Sequence, residues 1–304
     1  MIYLSFTDFH LKGVAPNGRI DDYTESLYNK LLEIYEIAEE QKVNGIIFPG
    51  DFFDGSIISL QVAKRFIDLI ESKKLPFYVI YGNHDERGAK KEGTLLHFAL
   101  SYTSYLQDLN ELEDKDVYIK GYDYYFGIED DLRAQGLKHS SEAKLTIAVI
   151  HANILPVPAH KAMAQILYEE LDVNYDIVLI GHYHKESKPI TIGKTTFYNS
   201  GAMARKTIKK SDVERVPSVL IINTDTREVN KVELKNYRPA AEVFDLKEIE
   251  DKRDRDDKIA EIICSLGSVE FKSLDIRERI IEVCKSEKAT DDVKEDLLNR
   301  IAPE

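Results

Sequence analysis

Side chains able to hold divalent cations recur in five short clusters, each directly after an apolar run. Asp8 and His10 stand in SFTDFH, Asp51 and Asp54 in PGDFFD, and Asn83, His84 and Asp85 in YGNHDE. His151 follows LTIAVI, and His182 and His184 belong to GHYH. Five of the chain's eight histidines fall in these clusters. Oxygen and imidazole donors with no thiolate among them suit Mn2+, Fe or Zn2+ better than a soft metal. The seven donors Asp8, His10, Asp51, Asn83, His151, His182 and His184 exceed one closed tetrahedral site and suit two cations sharing a carboxylate. A carboxylate can bridge because it has two oxygens and several lone pairs. In GHYH, alternate residues of an extended segment face the same way, so both histidines can approach one pair of ions.

Such clusters need elements that bring them together. IYLSF (2–6), NGIIFPG (44–50), PFYVIYG (76–82), LTIAVI (145–150), YDIVLI (175–180), TTFYNSG (195–201) and SVLIINTD (218–225) read as strands, and 117–127 as β-rich with turns. Residues 24–42 place Leu27, Leu31, Ile34 and Ala38 on one helical face, and 59–74 do the same with Val62, Phe66, Leu69 and Ile70. Further helical signals lie around 93–108 and 160–170. The alternation predicts an α/β layered domain with a β core covered by helices. Five strands then deliver Asp, His or Asn just past their C-terminal ends, where α/β sheets bind ligands.

Composition narrows the class. With 304 residues the chain can hold one large domain and a smaller one. No run approaches the ~18 uninterrupted apolar residues of a membrane span, and MIYLSFTDFH lacks the features of a signal peptide. Cys264 and Cys284 are too few for a disulfide framework, so a reduced, cytoplasmic protein is expected. A net charge of −13 argues against holding nucleic acid by bulk electrostatics. The charge is uneven: residues 239–304 carry −7 and residues 1–238 carry −6, while RKTIKK (205–210) is locally basic. A boundary is expected near Tyr237-Arg238-Pro239, separating a domain over 1–238 from a region over 239–304. That region opens on a charged linker or solvated helix face, EIEDKRDRDDK (248–258). Three helical stripes follow, marked by Ile259 to Leu266, Ile276 to Cys284 and Val293 to Ile301.

D-x-H, G-D-x-x-D, G-N-H-D, a strand-final His and G-H-x-H, in that order over about residues 1–205, resemble the signature of calcineurin-like metallophosphoesterases. The resemblance implies two β-sheets packed face to face with helices outside, plus a small helix-rich C-terminal cap. It also implies that Asp8, His10, Asp51 and His184 hold one metal. Asp51 would bridge to a second, completed by Asn83, His151 and His182. His84 and Asp54 form the implied catalytic pair. His84 protonates or stabilises the leaving oxygen, and Asp54 orients it. Asp85 is expected to fix a ligand's geometry through a hydrogen bond. Two metals about 3.5–4 Å apart lower the pKa of a water between them and clamp phosphate oxygens, so the expected reaction is phosphoester hydrolysis.

Within this family TDFHLKG, GDFFD, HANILPVPAH, NSGAMARK and EVFDL resemble the SbcD type, whose phage-encoded relatives are often short. That likeness implies a Mn2+-dependent DNA nuclease, exonucleolytic and in part endonucleolytic. It would work as a homodimer with an SMC-like (SbcC-type) ATPase in break repair, with 239–304 as cap or docking region. Arg205, Lys206, Lys209 and Lys210 are candidates for DNA phosphates. The competing reading is a small-molecule or cyclic-nucleotide phosphodiesterase with the same metals. A dead scaffold is disfavoured because every motif residue is present. A protein phosphatase is disfavoured because Gly55 stands where that branch has an arginine.

Overall fold

The computed structural model describes residues 1–245 apart from 56–57, 87–89, 159–163 and 208–209, and beyond 245 only residues 247 and 294. The chain divides into two units, Met1–Val243 and Phe244–Glu304. The described residues lie almost wholly in the first. Both cysteines, the three helical stripes after 258 and the linker over 248–258 lie outside them.

The apolar runs form two six-stranded sheets. In chain order the elements are β1 (Ile2–Ser5), α1 (Tyr23–Glu40), β2 (Gly45–Phe48), α2 (Leu60–Lys73), β3 (Phe77–Val79), α3 (Leu95–Tyr102), β4 (Leu106–Asp108), β5 (Glu111–Glu113), β6 (Val117–Tyr122) and α4 (Ile128–Gln135). Then come β7 (Leu145–His151), β8 (Ile154–Leu155), β9 (Ile166–Leu167), β10 (Ile177–Gly181), β11 (Ser187–Ile192), β12 (Thr195–Asn199), α5 (Lys210–Val213), β13 (Ser218–Asn223) and β14 (Glu228–Glu233). The first sheet has the order β14-β13-β1-β2-β3-β4 and the second β11-β12-β10-β7-β6-β5, with β8 and β9 paired separately.

Alternation along each strand builds the layers. Tyr3, Ile47, Leu220 and Ile222 of the first sheet pack with Ile119, Ile147, Val149, Ile177 and Leu179 of the second. Leu4, Ile46, Phe48 and Val79 point the other way, onto Leu27, Leu31 and Ile34 of α1 and Phe66 and Ile70 of α2. Ala148, Ile150, Val178 and Ile180 meet Ile128 and Leu132 of α4. Strands covered on both faces need apolar residues at every position, which is why they read as unbroken apolar runs. The implied architecture, two facing sheets flanked by helices, is present. Asp22 caps α1 by accepting the Glu25 N–H at 2.9 Å, and the predicted apolar stripe of that helix is buried.

Local differences have physical causes. The helix expected over 93–108 ends at Tyr102. Thr103 turns extended, and Leu106–Asp108 pairs with β3 as an edge strand. Within 160–170, the described part is β9 and a 3-10 turn at Tyr168–Glu170, not an α-helix. Helix α4 escapes the apolar pattern because IEDDLRAQ buries only Ile128, Glu129 and Leu132. Strands β11 and β14 sit at sheet edges with mostly exposed, polar residues, so they carry no apolar run.

Candidate metal centre

Parallel pairing of β1, β2 and β3 in one sheet, and of β7 and β10 in the other, sends the five polar clusters to a common rim. Beyond the strands the pairing continues through Asp8 N–H to Gly50 O (3.2 Å), His10 N–H to Asp51 O (3.0 Å) and Leu11 N–H to Phe52 O (2.8 Å). The backbone is strained there. Asp8, His10, Asp51 and His182 have φ of 52°, 49°, 59° and 84°, four of the seven left-handed non-glycine residues among the described ones. Each costs about 1–2 kcal/mol, and such strain persists where surrounding structure holds it for function. Close approach also demands glycine. A Cβ on Gly82 would stand 2.1 Å from Asp51 Oδ1, and one on Gly181 would stand 2.0 Å from Pro49 O.

Two groups of donors share Asp51. Asp8, His10, Asp51 and His184 form one and Asp51, His151 and His182 the other, with donor atoms of each within 4.8 Å of one another. In the first, His10 Nε2 lies 2.8 Å from His184 Nε2, and 3.7 and 3.6 Å from Asp8 Oδ1 and Asp51 Oδ2. In the second, Asn83 Oδ1 lies 3.1 Å from His151 Nε2 and 2.8 Å from His182 Nδ1, and Asp51 Oδ2 lies 3.3 Å from His151 Nε2. Asp51 Oδ2 therefore faces both groups, while Oδ1 accepts the His84 N–H at 2.8 Å. His182 and His184 do not share an extended segment as GHYH suggested. The left-handed turn at His182 directs them to different groups.

The residues fit two divalent cations. Asp8 Oδ2 accepts from Thr7 Oγ1 (2.9 Å) and His182 N–H (3.2 Å), yet Oδ1 is buried with no hydrogen-bond partner. An orphaned buried carboxylate oxygen beside converging imidazole nitrogens is costly without a cation. A carbonyl can only accept, so His151 must carry its proton on Nδ1, 2.7 Å from Pro49 O, which leaves the Nε2 lone pair for the group. Burial pushes His182 and His184 down to about 4, and metal ligands must likewise be unprotonated. Burial alone would raise Asp8, but the neighbouring imidazoles of His10, His184 and His151 bring it to about 2. Asp51 is likewise held below its ordinary range: burial opposes this, and His151 and His10 outweigh it. Burial would also lower His151, but without a cation the Asp51 carboxylate lifts it to about 9, so a metal taken up at Nε2 would displace a proton from that nitrogen.

Beside the first group, Asp54 Oδ1 meets His84 Nδ1 at 3.2 Å and His10 Nδ1 at 3.3 Å. Lys206 Nζ donates to the same oxygen at 2.6 Å, and Lys12 Nζ lies 3.3 Å from Oδ2. Burial would raise Asp54, but His10 and Lys206 hold its carboxyl well below the usual range. The His84 side chain is 39% exposed, so it reaches solvent beside the donor groups. Tyr124 stacks on the His182 ring with centroids 5.7 Å apart.

The basic stretch needs correction. Arg205 is 2% exposed and donates to the carbonyls of Asp212, Val213 and Arg238, so it does not face a DNA phosphate. Lys206 points inward to Asp54 rather than outward. Lys209 and the side chain of Lys210 lie outside the described residues. The ammoniums of Lys12 and Lys206 beside Asp54 were missed. Lys12, two residues after His10, offered the sequence signal for the first.

Asp85 ties two ligand loops together by accepting the N–H groups of Phe52 (3.2 Å), Phe53 (2.9 Å) and Gly82 (3.1 Å). Burial and the Asp51 charge push its pKa up to about 7. In Asp85→Asn an amide NH2 replaces one acceptor. Supporting contacts of this kind are worth about 10–100-fold in metal affinity. Calorimetry should show Mn2+ binding weakened by that factor, with the fold retained by circular dichroism.

The chain is 24% identical over 215 residues to "DNA double-strand break repair protein Mre11" of Methanococcus maripaludis, covering 66% of this chain and 57% of that protein. The protein of the same name from Thermoplasma acidophilum is 22% identical over 290 residues, covering 88% and 73%. A Xenorhabdus bovienii protein named probable cyclic nucleotide phosphodiesterase is 27% identical over 164 residues, covering 52% and 65%. The match therefore spans little more than half of the Methanococcus relative's length. The family model for calcineurin-like phosphoesterases matches residues 2–186. With that match and a carboxylate–imidazole cluster fitted for two cations, the chain belongs to the calcineurin-like phosphoesterase family and is a metal-dependent phosphoester hydrolase.

Proposed function

We propose that this hydrolase is a binuclear-metal phosphodiesterase acting on DNA, an SbcD-type nuclease of break processing that works in the cytoplasm with an SMC-like ATPase and as a homodimer. Residues 1–238 are the catalytic domain in this reading, and 239–304 a cap or docking region. The carrying observation is Asp51 Oδ2, placed between two donor groups. Asp8, His10, Asp51 and His184 would hold one cation, and Asp51, Asn83, His151 and His182 the other. Bound Mn2+ ions would supply positive charge for the phosphate and an acidified water.

The remaining work falls to side chains. Asp54 Oδ1 lies 3.2 Å from His84 Nδ1, where it can accept an Nδ1–H. In the protonated ring Nε2 would then hold the proton given to the leaving oxygen, and the neutral ring would be left with its proton on Nδ1. The His84 side chain is 39% exposed, so solvent and substrate can reach it. Two relatives named for DNA double-strand break repair support the choice of DNA. The relative named for cyclic nucleotides supports a second reading, a small-molecule phosphodiesterase.

The test is purified protein with Mn2+ on linear duplex DNA, single-stranded DNA, a cyclic nucleotide and bis-p-nitrophenyl phosphate. Degradation of either DNA supports the nuclease. Turnover of the small esters with no DNA cleavage, even with the cognate ATPase, supports the second reading.

A further inference from the structure

Four consecutive residues after β12 have a backbone group bound by the polar end of a buried Lys, Arg or Asp side chain. Lys30 Nζ donates to Met203 O at 2.9 Å, Arg215 Nη2 to Ala204 O, and Arg19 Nη1 to Arg205 O at 2.6 Å. Asp212 Oδ2 accepts the Lys206 N–H at 3.1 Å. Lys30, Arg215, Arg19 and Asp212 are 2%, 8%, 9% and 4% exposed. On the other side, Met203 N–H donates to Thr7 O at 2.9 Å and Ala204 N–H to Asp8 O at 3.2 Å. Burying cations costs several kcal/mol each unless they are well partnered, and charge-assisted bonds are the stronger kind. A plain surface turn needs no such clamp. This one fixes where the next side chain goes.

That side chain is Lys206. Its ammonium, 16% exposed, stands 2.6 Å from Asp54 Oδ1 and 3.4 Å from His10 Nδ1. The same Asp54 oxygen faces both imidazole Nδ1 atoms, and Lys12 faces the other oxygen. A carboxylate free to rotate would offer its lone pairs to the two rings unevenly. Ammoniums on both oxygens pin its plane.

We propose that Lys206 is a positioning residue for the hydrolysis, one that locks Asp54 so that its Oδ1 accepts from His10 and His84 together. His84 is then held with Nδ1–H toward Asp54 and Nε2 away from it. This rests on the phosphodiesterase reading above, with His84 serving the leaving oxygen. A misplaced acid hurts most where the leaving group is poor. An alkoxide of a nucleoside needs the proton, and p-nitrophenolate hardly does.

The test compares Lys206→Met and Lys206→Arg in the full chain. Nitrogen-15 NMR of the metal-free protein reads the His84 ring tautomer. Kinetics with Mn2+ use a thymidine dinucleotide and bis-p-nitrophenyl phosphate. For Lys206→Met we expect kcat on the dinucleotide to fall about 10–100-fold, as for a misplacement near 1 Å. KM should stay within about twofold, loss on the p-nitrophenyl ester should be several-fold smaller, and the His84 signals should shift to mixed tautomers. Lys206→Arg should restore most of the rate and the single tautomer. Should Lys206→Met not fold, Lys206→Gln takes its place. Raised KM on both esters with an unchanged His84 spectrum would overturn the proposal in favour of a direct phosphate contact, and unchanged kinetics and spectrum would remove any role. A wild type silent on both esters would sink the phosphodiesterase reading alone, because the NMR comparison would still decide what Lys206 does.

Discussion

Asp51→Asn is expected to bind one Mn2+ at most and to lose roughly a thousandfold in kcat on bis-p-nitrophenyl phosphate, the equivalent of about 4 kcal/mol. The substitution keeps the shape of the side chain and removes its charge. Asp51 Oδ2 is the atom that faces His10 Nε2 at 3.6 Å and His151 Nε2 at 3.3 Å, so both donor groups lose their shared anion. The loop itself should survive. An asparagine Oδ1 can still accept the His84 N–H, and the bonds from His10 N–H to Asp51 O and from Leu11 N–H to Phe52 O are made by backbone. Calorimetric titration gives the stoichiometry and circular dichroism checks the fold. A variant that binds two Mn2+ ions and turns over at near-normal rate would show that Asp51 is not shared.

His84→Ala is expected to keep both cations and to lose about 10²–10⁴ in kcat on DNA, the range of one general acid, with a much smaller loss on the p-nitrophenyl ester, whose leaving group hardly needs a proton. His84 belongs to neither group that shares Asp51. Its Nδ1 is turned to Asp54, and its side chain is partly exposed. KM should change little, because the missing interaction is made only as the leaving oxygen gains charge. Steady-state kinetics on the p-nitrophenyl ester and on DNA, beside a Mn2+ titration, separate the possibilities. Loss of a metal would make His84 a ligand. Unchanged kcat on every substrate would remove it from the chemistry.

Much of the site was legible because parallel strands covered on both faces leave little sequence freedom. Leu145–His151 and Ile177–Gly181 are buried throughout, so each reads as an apolar run that stops at the rim. The polar residues that follow then stand out against their neighbours. Edge strands such as β14 lack that signature, since Glu228, Asn230, Lys231 and Glu233 look outward. Side-chain direction in the loops was less legible. RKTIKK reads as a solvated basic stretch, yet Arg205 is buried and Lys206 turns to Asp54. The partners that impose this, Arg19, Lys30, Asp212 and Arg215, come from three separate parts of the chain. Nothing local in 205–210 announces them. The GHYH motif shows the same limit. Its residues are right for two ions, but the left-handed backbone at His182 that parts the rings depends on Gly181 packing against Pro49.

The central claim is that Asp51 sits between two divalent cations. Crystals grown with Mn2+ and measured at the manganese absorption edge test it directly. The account predicts two anomalous peaks flanking Asp51 Oδ2, one among Asp8, His10 and His184 and the other among Asn83, His151 and His182. A single peak, or none within bonding distance of Asp51, would contradict it.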